Sequence, residues 1–178
     1  MEASAPGFQT RDDLKLHLHD WPAPQPRARL LLVHGLGEHS GRYDALAREL
    51  NAQGISVRAF DHRGHGRSQG MRGVVGKEAA CLSRDTTEIF NAYAAESGDV
   101  PFLLGHSMGG LVVMHAVAEQ RLRPRGLIAS SPALASHAGA FDRLLSKLLL
   151  HVAPDLTVAN GLPADRLSHA AGVERTYL

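Results

Sequence analysis

The chain has 178 residues, enough for one domain with its own core. Hydrophobic residues make up 44% and charged residues 21%, which excludes a disordered segment, and a formal net charge of +1 supplies neither a basic field for nucleic acid nor an acidic tail. The lone cysteine, Cys81, excludes an internal disulfide; MEASAPGFQTRDDL has no basic-then-apolar leader and no window approaches the ~18 apolar residues of a membrane span, so the sequence predicts a soluble, cytoplasmic protein.

In LKLHLHDW, Leu14, Leu16 and Leu18 alternate with polar residues, the period of a half-exposed strand. The prolines of Pro22–Ala28 predict a turn. ARLLLVHG is a continuous apolar run closed by Gly35, which predicts a strand buried on both faces. RYDALARELNAQG places Tyr43, Leu46 and Leu50 on one helical face, with Gly54 as the stop. ISVRAFDHRGHG reads as a strand running into a Gly-rich turn. SRDTTEIFNAYAAES has helical spacing with Ile89, Phe90 and Tyr93 on its apolar side and Ser83 or Asp85 as candidate caps. VPFLLGHS then predicts a strand, MGGLVVMHAVAEQR a helix, and PRGLIASSP the next strand. Strand and helix alternate from Ala28 to Ser130, which predicts an α/β fold: a mostly parallel sheet with helices on both faces. After Pro132, the stripe Phe141, Leu144, Leu145, Leu148, Leu149 and Val152 predicts an apolar helix, and the remaining residues carry no convincing strand.

The chemistry centres on Gly105-His106-Ser107-Met108-Gly109. A buried strand that turns sharply into an apolar helix presents its corner residue at the sheet's carboxyl edge, and backbone crowding at the corner demands glycines on either side. Ser107 is therefore the candidate nucleophile. Acyl transfer also needs two N–H donors for the oxyanion. One is expected from Met108, directly after the serine; the other from the loop His34-Gly35-Leu36, with Leu36 N–H the expected donor. Taken alone, that loop reads equally well as an ordinary Gly-rich turn. His62 and His65 invite a metal reading, but no third ligand is spaced to join them and a solvated turn accounts for both. Cys81 reads as a half-buried small residue, not a nucleophile.

Three motifs together, His34 to Tyr43 (HGLGEHSGRY), Asp61 to Ser68 (DHRGHGRS) and Gly105 to Gly110 (GHSMGG), resemble the monoacylglycerol lipase and lysophospholipase branch of the α/β-hydrolase fold, a serine aminopeptidase-type group. The resemblance runs from about Gly7 to the end of the chain; Asn160 to Ser168 is similar to part of that family's cap. It implies Ser107 as nucleophile, Leu36 and Met108 N–H groups as oxyanion hole, hydrolysis of a small lipid ester, no metal and no cofactor. It implies a hydrolase core over residues 1–132 and the first part of a helical cap over 133–178, with Phe141–Val152 as a segment for peripheral membrane contact. Asp61 to Ser68 is expected to be a structural turn beside the site.

The fold's triad runs Ser, then Asp or Glu, then His, each partner following a later strand. Forty-eight residues follow Ser130, too few for two more strand–helix units beside a cap, because each unit takes roughly 30 residues. The tail offers Asp142, Asp155 and Asp165, and His137, His151 and His169, none at the end of a strand-like run. The expectation is that the triad acid and base are not in this chain, that its turnover is impaired, and that the strand Gly126–Ser130 lies at an open sheet edge prone to self-association. Carboxylesterase, C–C hydrolase or perhydrolase chemistry shares the serine motif and stays open, as does an inactive fragment that only binds.

Overall fold

A computed structural model describes residues 7–72, 80–119 and 122–134. The apolar segments form strands β1 (Gly7–Gln9), β2 (Lys15–Trp21), β3 (Ala28–Val33), β4 (Ile55–Phe60), β5 (Phe102–His106) and β6 (Leu127–Ser130), and helices α1 (Asp44–Ala52), α2 (Cys81–Ser97) and α3 (Met108–Ala118). The strands make one sheet in the order β1-β2-β4-β3-β5-β6. β4, β3, β5 and β6 run parallel, while β2 is antiparallel to β4 and to β1. Strands joined through helices run parallel to one another, as crossover connections require.

Period-two alternation splits the core between the faces. Leu31, Val33, Phe60 and Leu103 face α2 and α3, meeting Ile89, Phe90, Val113 and Ala116. Leu30, Leu32, Val57 and Ala59 face α1, with Trp21 and Ala47. Each fully buried aliphatic side chain contributes about 1.5–3 kcal/mol over an exposed one.

Some details differ from the sequence reading. On α1 the buried residue is Ala47, while Leu46 is 41% exposed. The helix packs so close to the sheet that the small side chain takes the central position. α2 starts at Cys81, with Ala80 at its N-cap and no side-chain cap. Ser83 Oγ instead donates to Ala80 O at 2.9 Å, and Asp85 lies inside the helix, bound to Arg63. Cys81 is buried, not half-buried. β1 carries too short a pattern to be read from the sequence. Among the described residues β6 is an edge strand, at the end of the sheet opposite β1, and all of Leu127–Ser130 is exposed. The cap reading for 133–178, the Phe141–Val152 stripe, the Asn160–Ser168 similarity and the tail candidates Asp142, Asp155, Asp165, His137, His151 and His169 lie outside the described residues, apart from Ala133 and Leu134.

Candidate active site

Ser107 stands between the last residue of β5 and the first of α3, with φ 53° and ψ −116°. A side-chain-bearing residue in that region costs of order 1–3 kcal/mol and persists only where its surroundings hold it. Here the backbone is held from both sides. Ser107 N–H donates to Ser130 O at 2.9 Å, and Ser107 O accepts from Ala133 N–H at 3.1 Å and Leu111 N–H at 3.2 Å. The exit of β6 therefore braces the corner.

The glycines answer to close approach. A side chain at Gly105 would overlap the carbonyl of Gly109, and one at Gly109 would overlap the carbonyl of Val33. The start of α3 thus lies against the exit of β3. Register brings the two exits level, because Val33 pairs with Gly105. A methyl group on Gly35 would stand 3.3 Å from Ser107 Cβ and 3.4 Å from His106 O. The Gly35 loop and the serine corner are in contact.

The loop after β3 is tied down on its far side. Glu38 accepts from Gly35 N–H at 2.9 Å and from the Tyr43 hydroxyl at 2.8 Å, and Arg42 lies 3.6 Å away. Burial raises the Glu38 pKa, but these donors outweigh it and hold the carboxyl below its ordinary value. Burial, then the facing Glu38 carboxylate, pushes the Tyr43 hydroxyl well up. Neither Leu36 N–H nor Met108 N–H has a hydrogen-bond acceptor among the described residues. The start of α3, whose dipole favours negative charge, stands directly behind the serine corner.

The Asp61–Ser68 turn lies beneath this loop and is more than a solvated connection. Asp61 accepts from Ser40 N–H at 2.7 Å and Arg67 N–H at 2.8 Å. Burial raises the carboxyl's pKa and these amides lower it further, for a net fall. His62 and His65 are buried, and a third histidine, His34, does join them, with centroids 4.5 Å and 5.4 Å from its own. The rings stack edge to face and mostly bond backbone groups; among the described residues His62 Nδ1 has no hydrogen-bond partner. No group of three or more His, Cys, Asp or Glu among the described residues is arranged to hold a metal ion. Arg63, also buried, pairs with Asp85 of α2 at 2.7 Å and with Asp12 at 2.9 Å, pinning the turn to both neighbours.

His34, Glu38 and Tyr43 belong to the first sequence motif, but spacing alone did not mark them as neighbours of the serine corner. The signal was the motif's density of polar residues beside a buried strand. Among the described residues nothing is hydrogen-bonded to Ser107 Oγ, and His106 turns away to Ser130 Oγ at 3.2 Å. No described helix is long and apolar enough to cross a membrane.

A family model described as serine aminopeptidase, S33 (Hydrolase_4), matches residues 24–177. The rat monoglyceride lipase is 37% identical over 158 residues, covering 86% of this chain and 52% of the relative. Phospholipase YtpA of Bacillus subtilis is 38% identical over 151 residues, 82% of this chain and 56% of the relative. The chain therefore spans about half the length of these curated relatives. Among solved structures, a monoacylglycerol lipase from Paleococcus ferrophilus superposes with a TM-score of 0.78 at 38% identity, covering 91% of this chain and 61% of that one.

Proposed function

The chain belongs to the serine aminopeptidase S33 family of α/β hydrolases, and on that premise we propose that it carries the nucleophile half of a lipid-ester hydrolase. Ser107 attacks the ester carbonyl and expels the alcohol, forming an acyl-enzyme that water then cleaves to the free carboxylic acid. Leu36 N–H and Met108 N–H receive the oxyanion. The observation carrying this reading is the positive-φ Ser107 corner in contact with the Gly35 loop, with Leu36 N–H and Met108 N–H lacking an acceptor among the described residues. The substrate class is a monoacylglycerol or lysophospholipid, supported by the lipases and the phospholipase among the relatives. Carboxylesterase, C–C hydrolase or perhydrolase chemistry is the second reading of the same corner.

The general base and its carboxylate are assigned to no residue of this chain, and the chain alone is expected to turn over weakly. An oxyanion hole and binding leave ~10³–10⁴ over water when triad members are missing. Residues 1–132 are taken as core and 133–178 as cap, with Phe141–Val152 as the segment for peripheral membrane contact. The exposed Leu127 and Ile128 of β6 support self-association through that strand.

A fluorophosphonate probe tests the reading. It is expected to label folded wild-type chain at Ser107 slowly, for want of a base, and to leave Ser107→Ala unlabelled. Folded protein that takes no label would mean that the corner is a relic. Brisk hydrolysis of a short monoacylglycerol by the chain alone, abolished by Ser107→Ala, would overturn the assignment of the base.

A further inference from the structure

His34 is 0% exposed, and its ring hydrogen bonds fix its tautomer. Nε2 lies 3.0 Å from the backbone nitrogen of His62, and an amide N–H can only donate. Nε2 must therefore offer a lone pair, and a neutral ring then carries its proton on Nδ1. Nδ1 stands 2.7 Å from Gly35 O, so Nδ1–H donates there. The turn of Asp61–Ser68 thus sets which ring nitrogen of His34 faces the loop.

The bonded carbonyl belongs to the peptide unit that joins Gly35 to Leu36. A trans peptide is planar, and its C=O and N–H point in opposite directions. Whatever holds Gly35 O inward onto His34 also aims Leu36 N–H outward. The neighbouring peptide, His34 to Gly35, is gripped too, because its N–H donates to the Glu38 carboxylate at 2.9 Å. Glu38 N–H also donates to Gly35 O, but at a long 3.4 Å, and glycine at 35 gives either peptide little steric resistance to rotation.

We propose that His34, as the neutral Nδ1–H tautomer, and Glu38 are positioning residues that lock the two peptides of Gly35 and so keep Leu36 N–H turned out of the fold toward the serine corner. Neither side chain touches the substrate. Turning the Gly35–Leu36 peptide over would replace an oxyanion donor with a carbonyl oxygen, turning attraction into repulsion. The catalytic consequence rests on Leu36 being an oxyanion donor, as proposed above.

Two measurements on the full chain test this. Nitrogen-15 spectra of the ring are expected to show His34 protonated on Nδ1 and unprotonated on Nε2 at neutral pH. The opposite tautomer, or a doubly protonated ring, would overturn the proposal whether or not Ser107 reacts. The second measurement is the rate of fluorophosphonate labelling. Loss of one oxyanion donor costs ~10²–10³ in rate, so His34→Ala is expected to label about 100-fold more slowly. Asparagine's amide nitrogen sits near the position of Nδ1, so His34→Asn should recover much of the loss, as Glu38→Gln should relative to Glu38→Ala. The control is Ser107→Cys alkylated by iodoacetamide, a displacement at carbon that develops no oxyanion. His34→Ala in that background should alkylate at the parent rate. Equal labelling of His34→Ala and wild type, or an equal loss in the alkylation control, would sink the proposal. Wild-type protein that takes no label while showing the Nδ1–H ring would instead refute the catalytic reading of Ser107 and leave the peptide lock standing.

Discussion

His34 and His62 bear on stability as well as on geometry. Burial pushes the His34 ring down to about 4, with His65 adding to that and Gly35 O, Asp61 and Glu38 opposing it. Burial, then His34 and His65, puts His62 well below the ordinary value. Unfolded histidine takes up its proton near pH 6.5. Below that pH the unfolded chain binds protons that the folded chain refuses, so stability is present above pH 6.5 and falls as the pH drops toward 4. Each histidine adds a slope of up to about 1.4 kcal/mol per pH unit in that window. Urea unfolding at pH 7, 6 and 5 is expected to show the decline, and His62→Gln is expected to flatten it. An identical pH dependence in that variant would refute the assignment. Sequence motifs pointed to these histidines, but their burial was not legible, because H-R-G-H-G has the composition of a surface turn.

At the scale of elements, the site is an agreement between two strand exits and one helix start. Pairing of Val33 with Gly105 sets the height, and the absence of a side chain at Gly109 sets the separation. Gly109→Ala would press a methyl group into the Val33 carbonyl, and α3 would have to move away from β3. The expected cost is ~1–3 kcal/mol, the range for overpacking. Labelling of Ser107 should fall with it, since the Gly35 loop and the serine corner would part. Denaturant unfolding and labelling rate check both effects; wild-type values in each would show that α3 has room to spare. The elements themselves were legible, because strand and helix differ in apolar period. The face of α1 was not. Tyr43, Leu46 and Leu50 satisfy helical spacing as well as Tyr43, Ala47 and Leu50 do, and only contact with β4 chose the alanine.

At the scale of the molecule, the sheet separates two apolar layers that share no residue. Ile89→Val on the α2 side is expected to cost ~0.5–1.5 kcal/mol and Leu30→Ala on the α1 side ~2–5 kcal/mol. Across the sheet the two should add within about 0.5 kcal/mol, as independent sites do. A coupling much larger than that in urea unfolding would show that the layers relax together. The sequence by itself determined the alternation of strand and helix, the parallel sheet and the serine at a strand–helix corner, because apolar period and glycine placement are local properties. Tertiary structure alone decided that the Gly35 loop meets Ser107, that His34, His62 and His65 pack as one buried group, and that Arg63 joins α2 to the β1–β2 turn. Those contacts link residues distant in the chain, and which polar groups meet when strands pair depends on register and close approach, neither of which any single segment encodes.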